Sequence, residues 1–151
     1  MVVTVRKLIG ARQTGRFMHR MVEKYHSDMA PYASLSLPEI FDKIKSLKFN
    51  HDPPGVEVLK RPYYTMHGIG PGGDCDDKCI ALASWAVLNN IPYRFLGVGR
   101  KKPGQKPGSK ILLTHVFTQL YINREWLNAD CTYGFNVLGY IKGGYDRVEI
   151  L

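Results

Sequence analysis

Cys75 has the chemistry and the setting of a nucleophile. It follows the glycine-rich stretch His67-Gly-Ile-Gly-Pro-Gly-Gly73 and Asp74, and it opens a segment with helical apolar spacing through about Leu88. At a helix start the unsatisfied N–H groups and the positive end of the dipole favour thiolate over thiol. Glycines allow backbone N–H groups to come close to a substrate carbonyl, as an oxyanion hole requires. Asp76 and Asp77 oppose the thiolate by adding negative charge, and their expected role is stabilisation of the helix start. The sequence therefore predicts that iodoacetamide near neutral pH modifies Cys75 before Cys79 or Cys131.

A thiol of this kind needs a base, and the base needs a group to orient it. His115 lies within an extended apolar run, on one face with Leu113, Phe117 and Gln119. If Asn123-Arg124 is a two-residue hairpin loop, Ile122 pairs with Glu125 and Asp130 falls opposite Phe117. Asp130 is then diagonal to His115 on the same face, within reach of a hydrogen bond. A three-residue loop without a bulge puts the two on opposite faces.

Each residue alone has a plainer reading: a packed helix cysteine, a structural strand histidine, a carboxylate capping a turn. A metal site is a competing use of the set. Cys75 and Cys79 share a helical face, and His115 and Cys131 would complete a Cys₃His tetrahedron, although Cys-x₃-Cys on one helix is not a usual zinc spacing. Strand alternation through Asp130 turns Cys131 away from His115.

The elements that must position these residues can be read along the chain. A first helix spans about Arg12 to Ser27, followed by a loop at Met29-Ala-Pro-Tyr-Ala. Leu35-Ser-Leu-Pro-Glu-Ile is a helix start, with Ser36 and Glu39 as a capping box, Pro38 in the first turn, and Leu35 and Ile40 as a hydrophobic staple. This second helix runs to about Lys48; residues 50–55 are a loop and 56–60 are extended. Asn89-Asn90 closes the Cys75 helix, and Ile91-Pro92 leads out. Strands follow at 93–98, 111–122 and 125–130, with one or two edge strands in the tail 139–151. Helices first and an antiparallel sheet after predict an α+β fold.

Length, charge and cysteines narrow the classes. The 151 residues suit one domain with a true core, and no apolar run approaches the length of a membrane span. Three cysteines are odd in number and too few for a disulfide framework. With no secretory pattern at the N-terminus, reduced thiols and a cytoplasmic location are the expectation. The net charge of +8 favours acidic partners. Arg12, Arg16, Arg20 and Lys24 form a stripe at helical spacing, and Arg100, Lys101, Lys102, Lys106 and Lys110 form a second cluster. Solvated surface is the preferred reading of both, and the second has no aromatic residue on which a base could stack.

The segment Gly73-Asp-Cys-Asp-Asp-Lys-Cys-Ile-Ala-Leu-Ala-Ser-Trp-Ala-Val-Leu-Asn-Asn-Ile-Pro-Tyr-Arg-Phe resembles the nucleophile helix of the transglutaminase-like superfamily, with its exit "G-I-P-x-R". Asn90 stands where glycine is usual, and asparagine also tolerates a left-handed backbone. Thr114-His-Val-Phe-Thr-Gln-Leu-Tyr-Ile-Asn-Arg-Glu-Trp-Leu-Asn-Ala-Asp-Cys-Thr resembles the family block "H-x-[WF]-x-E-V-Y-x-x-x-x-W-x-x-x-D-x-T", with Gln119 in place of the customary Glu. The resemblance covers about Pro62 to Tyr133, and more loosely the small stand-alone members encoded by phages and prophages.

It implies a papain-like core, a nucleophile helix packed on an antiparallel sheet, as a catalytic domain over 35–151 with an N-terminal helical segment at 1–34 packed on it. It implies Cys75 as nucleophile, His115 as base and Asp130 as orienter, with no cofactor and no metal. Gly73, Asp74, Tyr64 and His67 are the candidates for the oxyanion hole or substrate contacts. The implied activity is hydrolysis of an amide or isopeptide bond in a protein or peptide through a thioester. Transamidation by the same triad is the alternative, and a non-catalytic virion or assembly module is a further one. The host cytoplasm or a virion is the implied setting if the chain is phage-encoded.

Overall fold

A computed structural model describes residues 3–6, 10–70, 73–140 and 143–151. Two glycine-loop residues (71 and 72) and two tail residues (141 and 142) of the sequence reading lie outside the described residues, as do 1, 2 and 7–9.

The fold is a mixed one, helices packed with a four-stranded antiparallel sheet. Helix α1 spans Ala11–Tyr25, α2 Leu37–Lys45, α3 Pro62–His67 and α4 Cys75–Leu88. Strands are β1 (Val3–Arg6), β2 (Glu57–Lys60), β3 (Tyr93–Gly99), β4 (His115–Ile122), β5 (Glu125–Ala129) and β6 (Arg147–Ile150). The main sheet runs β5-β4-β3-β6, and β1 pairs antiparallel with β2 as a separate two-stranded ribbon.

Helix α4 is the centre of the molecule. One side packs Ala81, Leu82, Trp85 and Ala86 against Ile40, Phe41 and Ile44 of α2 and Leu120 of β4. The other packs Cys79, Ile80 and Ala83 against Met18, Met21 and Val22 of α1, Leu59 of β2 and Phe95 of β3. A helix buried on nearly all sides carries few charges, and this one keeps Asp76, Asp77 and Lys78 only in its first turn. Asn89 and Asn90 end it, and Asn90 takes the left-handed φ of 56° that glycine would usually supply.

The capping box forms as expected: Glu39 N–H donates to Ser36 Oγ at 3.3 Å and Ser36 N–H to Glu39 Oε1 at 3.0 Å. Helix α2 stops at Lys45, three residues short of the expected Lys48, because the Lys45 and Leu47 carbonyls turn to the buried Lys78 ammonium at 3.2 and 2.8 Å. The expected loop at Met29-Ala-Pro-Tyr-Ala is instead part of a 3₁₀ segment, His26–Tyr32, held in place by burial of Met29 in the α4 cluster. Residues 111–114 are not strand, so β4 begins at His115. The tail contributes a single strand, β6, on the edge beside β3.

Candidate active site

Strand β4 alternates cleanly. Val116 and Leu120 join the clusters around α4, while Phe117 packs with Leu96 and Val98 on the other face. His115 shares the Phe117 face but opens the strand, so it stands at the end of the sheet, where the first turn of α4 also comes. The β4–β5 register is Ile122↔Glu125 through Thr118↔Ala129, the two-residue hairpin required to keep His115 and Asp130 together. Asn123 and Arg124 both take positive φ, 53° and 65°, as a type I′ turn demands.

Asp130 follows β5 directly and is fully buried. Its Oδ2 lies 2.7 Å from His115 Nε2, and its Oδ1 accepts the Thr132 N–H at 3.0 Å. Asn136 Nδ2 donates to the Asp130 carbonyl at 3.2 Å, so side chain and backbone are both held. A buried carboxylate can only accept, which puts the proton on Nε2 and leaves Nδ1 as the nitrogen able to take one. The Tyr133 ring lies 5.3 Å from the imidazole and stacks in turn on Phe135.

Cys75 and His115 border one cleft of about 310 Å³, together with Thr114, Thr132 and Tyr133 from the sheet side and Phe49, His51 and Glu57 from the loop before β2 and its first residue. The Cys75 thiol is half-buried, and a hydrogen bond from the Val116 backbone, adjacent to His115, acts on it. The thiolate expectation needs correction. Burial pushes the Cys75 thiol well up, the charges of Asp76 and Asp74 add to that, and the Val116 bond offsets only part. Cys75 therefore rests as a thiol and requires a base to become reactive.

The carboxyls that raise it form a cluster: Asp52, Glu57 and Asp74 have oxygens within 4.8 Å of one another. Burial first, then the charges of Asp77, Asp52 and Glu57, push Asp74 up to about 8. Asp76, also raised by burial, hydrogen-bonds the Glu57 carboxyl, which places a proton between them. The expected helix-start role falls to Asp74, the N-cap, whose Oδ1 accepts the Asp76 N–H at 3.1 Å. Asp77 instead ties distant backbone together, accepting the N–H groups of Lys60 and Gly73 at 2.7 Å each.

That last bond removes Gly73 from the oxyanion-hole candidates, because its N–H is already committed to Asp77. Asp74 does border the cleft. Tyr64 and His67 sit on α3 and are not among the residues that border it; His67 stacks on Tyr63 and bonds the Tyr63 carbonyl at 2.7 Å. The Cys75 N–H, by contrast, has no acceptor among the described residues and points to the start of the cleft. His51, Glu57 and Tyr133 are cleft residues that sequence reasoning missed; the residues at 50–55 were read only as a loop.

The four proposed zinc ligands do not converge. Cys79 donates to the Val116 carbonyl at 3.6 Å and Cys131 packs with Leu82 and Trp85, on the side of the sheet away from His115. Among the described residues the only His, Cys, Asp and Glu group close enough for a metal is the Asp52, Glu57, Asp74 set. Gln119, in place of the customary Glu, accepts from Arg94 Nε and donates to Asn128 Oδ1, both at 2.7 Å, and takes no part in the cleft.

Comparison with protein families, with curated proteins and with solved structures finds no match.

Proposed function

We propose that this chain is a cysteine-dependent acyl-transfer enzyme of the transglutaminase-like kind, hydrolysing an amide or isopeptide bond in a protein or peptide through a thioester. The observation that carries this reading is the buried Asp130 bonded to His115 Nε2, with His115 and Cys75 on one cleft. A histidine held this way presents Nδ1 as a base, and a resting thiol is what such a base is for.

In the proposed cycle His115 Nδ1 takes the Cys75 proton as sulfur attacks the substrate carbonyl. Asp130 supports the imidazolium that results. The Cys75 N–H receives the oxyanion. His115 then returns the proton to the leaving amine, giving the thioester, and activates water to release the acid. The acid-rich wall of Glu57, Asp74 and Asp76 supports the second reading, transamidation, since it attracts a cationic amine that could replace water.

Incubation with a thiol-directed activity probe, followed by peptide mass spectrometry, tests the reading: the adduct is expected on Cys75 and absent in His115→Ala. Supplying a primary amine with a glutamine-containing peptide separates the outcomes, because hydrolysis releases acid and transamidation adds the mass of the amine. Equal labelling of wild type and His115→Ala would overturn the triad.

A further inference from the structure

On the other side of Asp77 from Cys75 lies a second cavity, of about 220 Å³, beneath the glycine loop that follows α3. It is lined by Lys60, Lys78, Lys48 and Thr65, with Gly68 and Gly73 at its rim. Its chemistry is opposite to that of the Cys75 cleft.

Lys60 and Lys78 are both buried, at 2% and 1% exposure, and burying an ammonium is costly unless its protons find acceptors. Lys78 meets that requirement with the carbonyls of Lys45, Leu47 and Cys131, at 3.2, 2.8 and 3.4 Å. Lys60 does not. Among the described residues its ammonium has neither a hydrogen-bond acceptor nor a carboxylate in ion-pair contact. The nearby Asp77 carboxylate spends its two oxygens on the backbone N–H groups of Lys60 and Gly73. Thr65 is a second unsatisfied group: its Oγ1 is buried without a partner, in a residue only 4% exposed.

We propose that this cavity binds a small oxyanion, a phosphate or a carboxylate, held by the Lys60 ammonium and the Thr65 hydroxyl. A cation and a hydroxyl donor, both buried, both unpartnered and both facing one water-sized space, have an oxyanion as their common complement. A tetrahedral or planar anion of four or five heavy atoms fits the volume. Bound there, it links β2, α3 and the glycine loop, and so braces the segment leading into Cys75.

Thermal unfolding of the full chain with added sodium phosphate tests the site, with sodium acetate as a carboxylate arm and sodium chloride at matched ionic strength as control. The expected result is a saturable rise in Tm with one of the oxyanions, about 5 °C at a hundredfold excess over Kd. The arm that responds names the anion. Lys60→Met should abolish the rise, and Thr65→Val should weaken binding about tenfold. Should Lys60→Met fail to fold, Thr65→Val alone decides through the shift in the midpoint of the titration. No rise above chloride in either arm, or a rise unchanged in the variants, would overturn the proposal.

Discussion

Two regions meet at the Cys75 sulfur and pull it in opposite directions. The β4–β5 hairpin brings a base, His115, held by a buried carboxylate through one 2.7 Å bond. The loop before β2 and the first turn of α4 bring Asp52, Glu57, Asp74 and Asp76, whose burial and charge hold the thiol protonated. The hairpin side is built from neighbours in sequence and is fully satisfied. The acid side is assembled from residues more than twenty apart and is electrostatically strained. The difference teaches that activation here belongs to the base, and that the helix start by itself does not make the thiolate.

The hairpin side should give the largest effects. Cys75→Ala is expected to abolish thioester formation, while Cys79→Ala and Cys131→Ala retain it, as intact-protein mass spectrometry after probe treatment would read. His115→Ala should lower the acylation rate by about 10³-fold or more, with an unchanged circular dichroism spectrum. Asp130→Asn should cost less than His115→Ala, since an amide at that position can still bond the ring while losing the charge that supports imidazolium. If His115→Ala acylates as fast as wild type, the contrast between the two regions collapses.

The acid side should shift reactivity with pH. A thiol raised above its ordinary value predicts that alkylation of Cys75 keeps accelerating beyond pH 9, with no plateau near neutrality. Cys75 should still react first, because Cys79 and Cys131 are buried to 5% and 4% exposure and burial raises their thiols too. Asp76→Asn should move the alkylation profile to lower pH. A plateau reached below pH 8 in the wild type would show that the helix start outweighs the carboxyls.

Stability should carry the same signature at smaller size. Asp74 ionises at about 8 in the folded chain and near 3.8 unfolded, so the folded state holds more protons across that window. Its contribution to stability is therefore present below about pH 4 and is lost as pH rises through about 8. Asp77, pushed up to about 7 by burial, acts in the same direction. Asp74→Asn keeps a good N-cap and removes the charge, so it should stabilise by at least about 1 kcal/mol at pH 8.5 and have little effect at pH 4. Urea denaturation at the two pH values measures this, and an equal change at both would mean that capping, not charge, is what the substitution alters.

Legibility in the sequence followed the same division. The hairpin register came from parity alone, because a strand repeats every two residues and a two-residue loop fixes which numbers pair. The α4 helix, its asparagine exit and the capping box at Ser36 and Glu39 were equally readable, all being local. The acid cluster was not. Asp52 and Glu57 approach Asp74 only because β2 lies against α4 through Leu59, a long-range packing that no local pattern encodes. The role of Asp77 was missed for the same reason, and with it the loss of the Gly73 N–H as an oxyanion donor. The 3₁₀ segment at His26–Tyr32 was hidden by Pro31, which marks a loop in sequence but sits inside a short helix here.

The smallest expected effect tests the hairpin loop itself. Arg124 holds a left-handed φ of 65° next to Asn123 at 53°. An L-residue other than asparagine or aspartate is strained there by about 1–2 kcal/mol, whereas glycine is not, and Asn-Gly is the pair that a type I′ turn favours. Part of that relief is offset by the greater freedom of glycine in the unfolded chain. Arg124→Gly should therefore raise stability by about 0.5–1 kcal/mol, a Tm gain of roughly 2–4 °C, and leave the acylation rate unchanged because the pairing of His115 and Asp130 is retained. Inserting one residue after Arg124 should do the reverse, turning Asp130 away from His115 and lowering the rate toward that of His115→Ala. If both changes leave rate and Tm unaltered, the loop does not set the register, and the hairpin loses its claim to position the base.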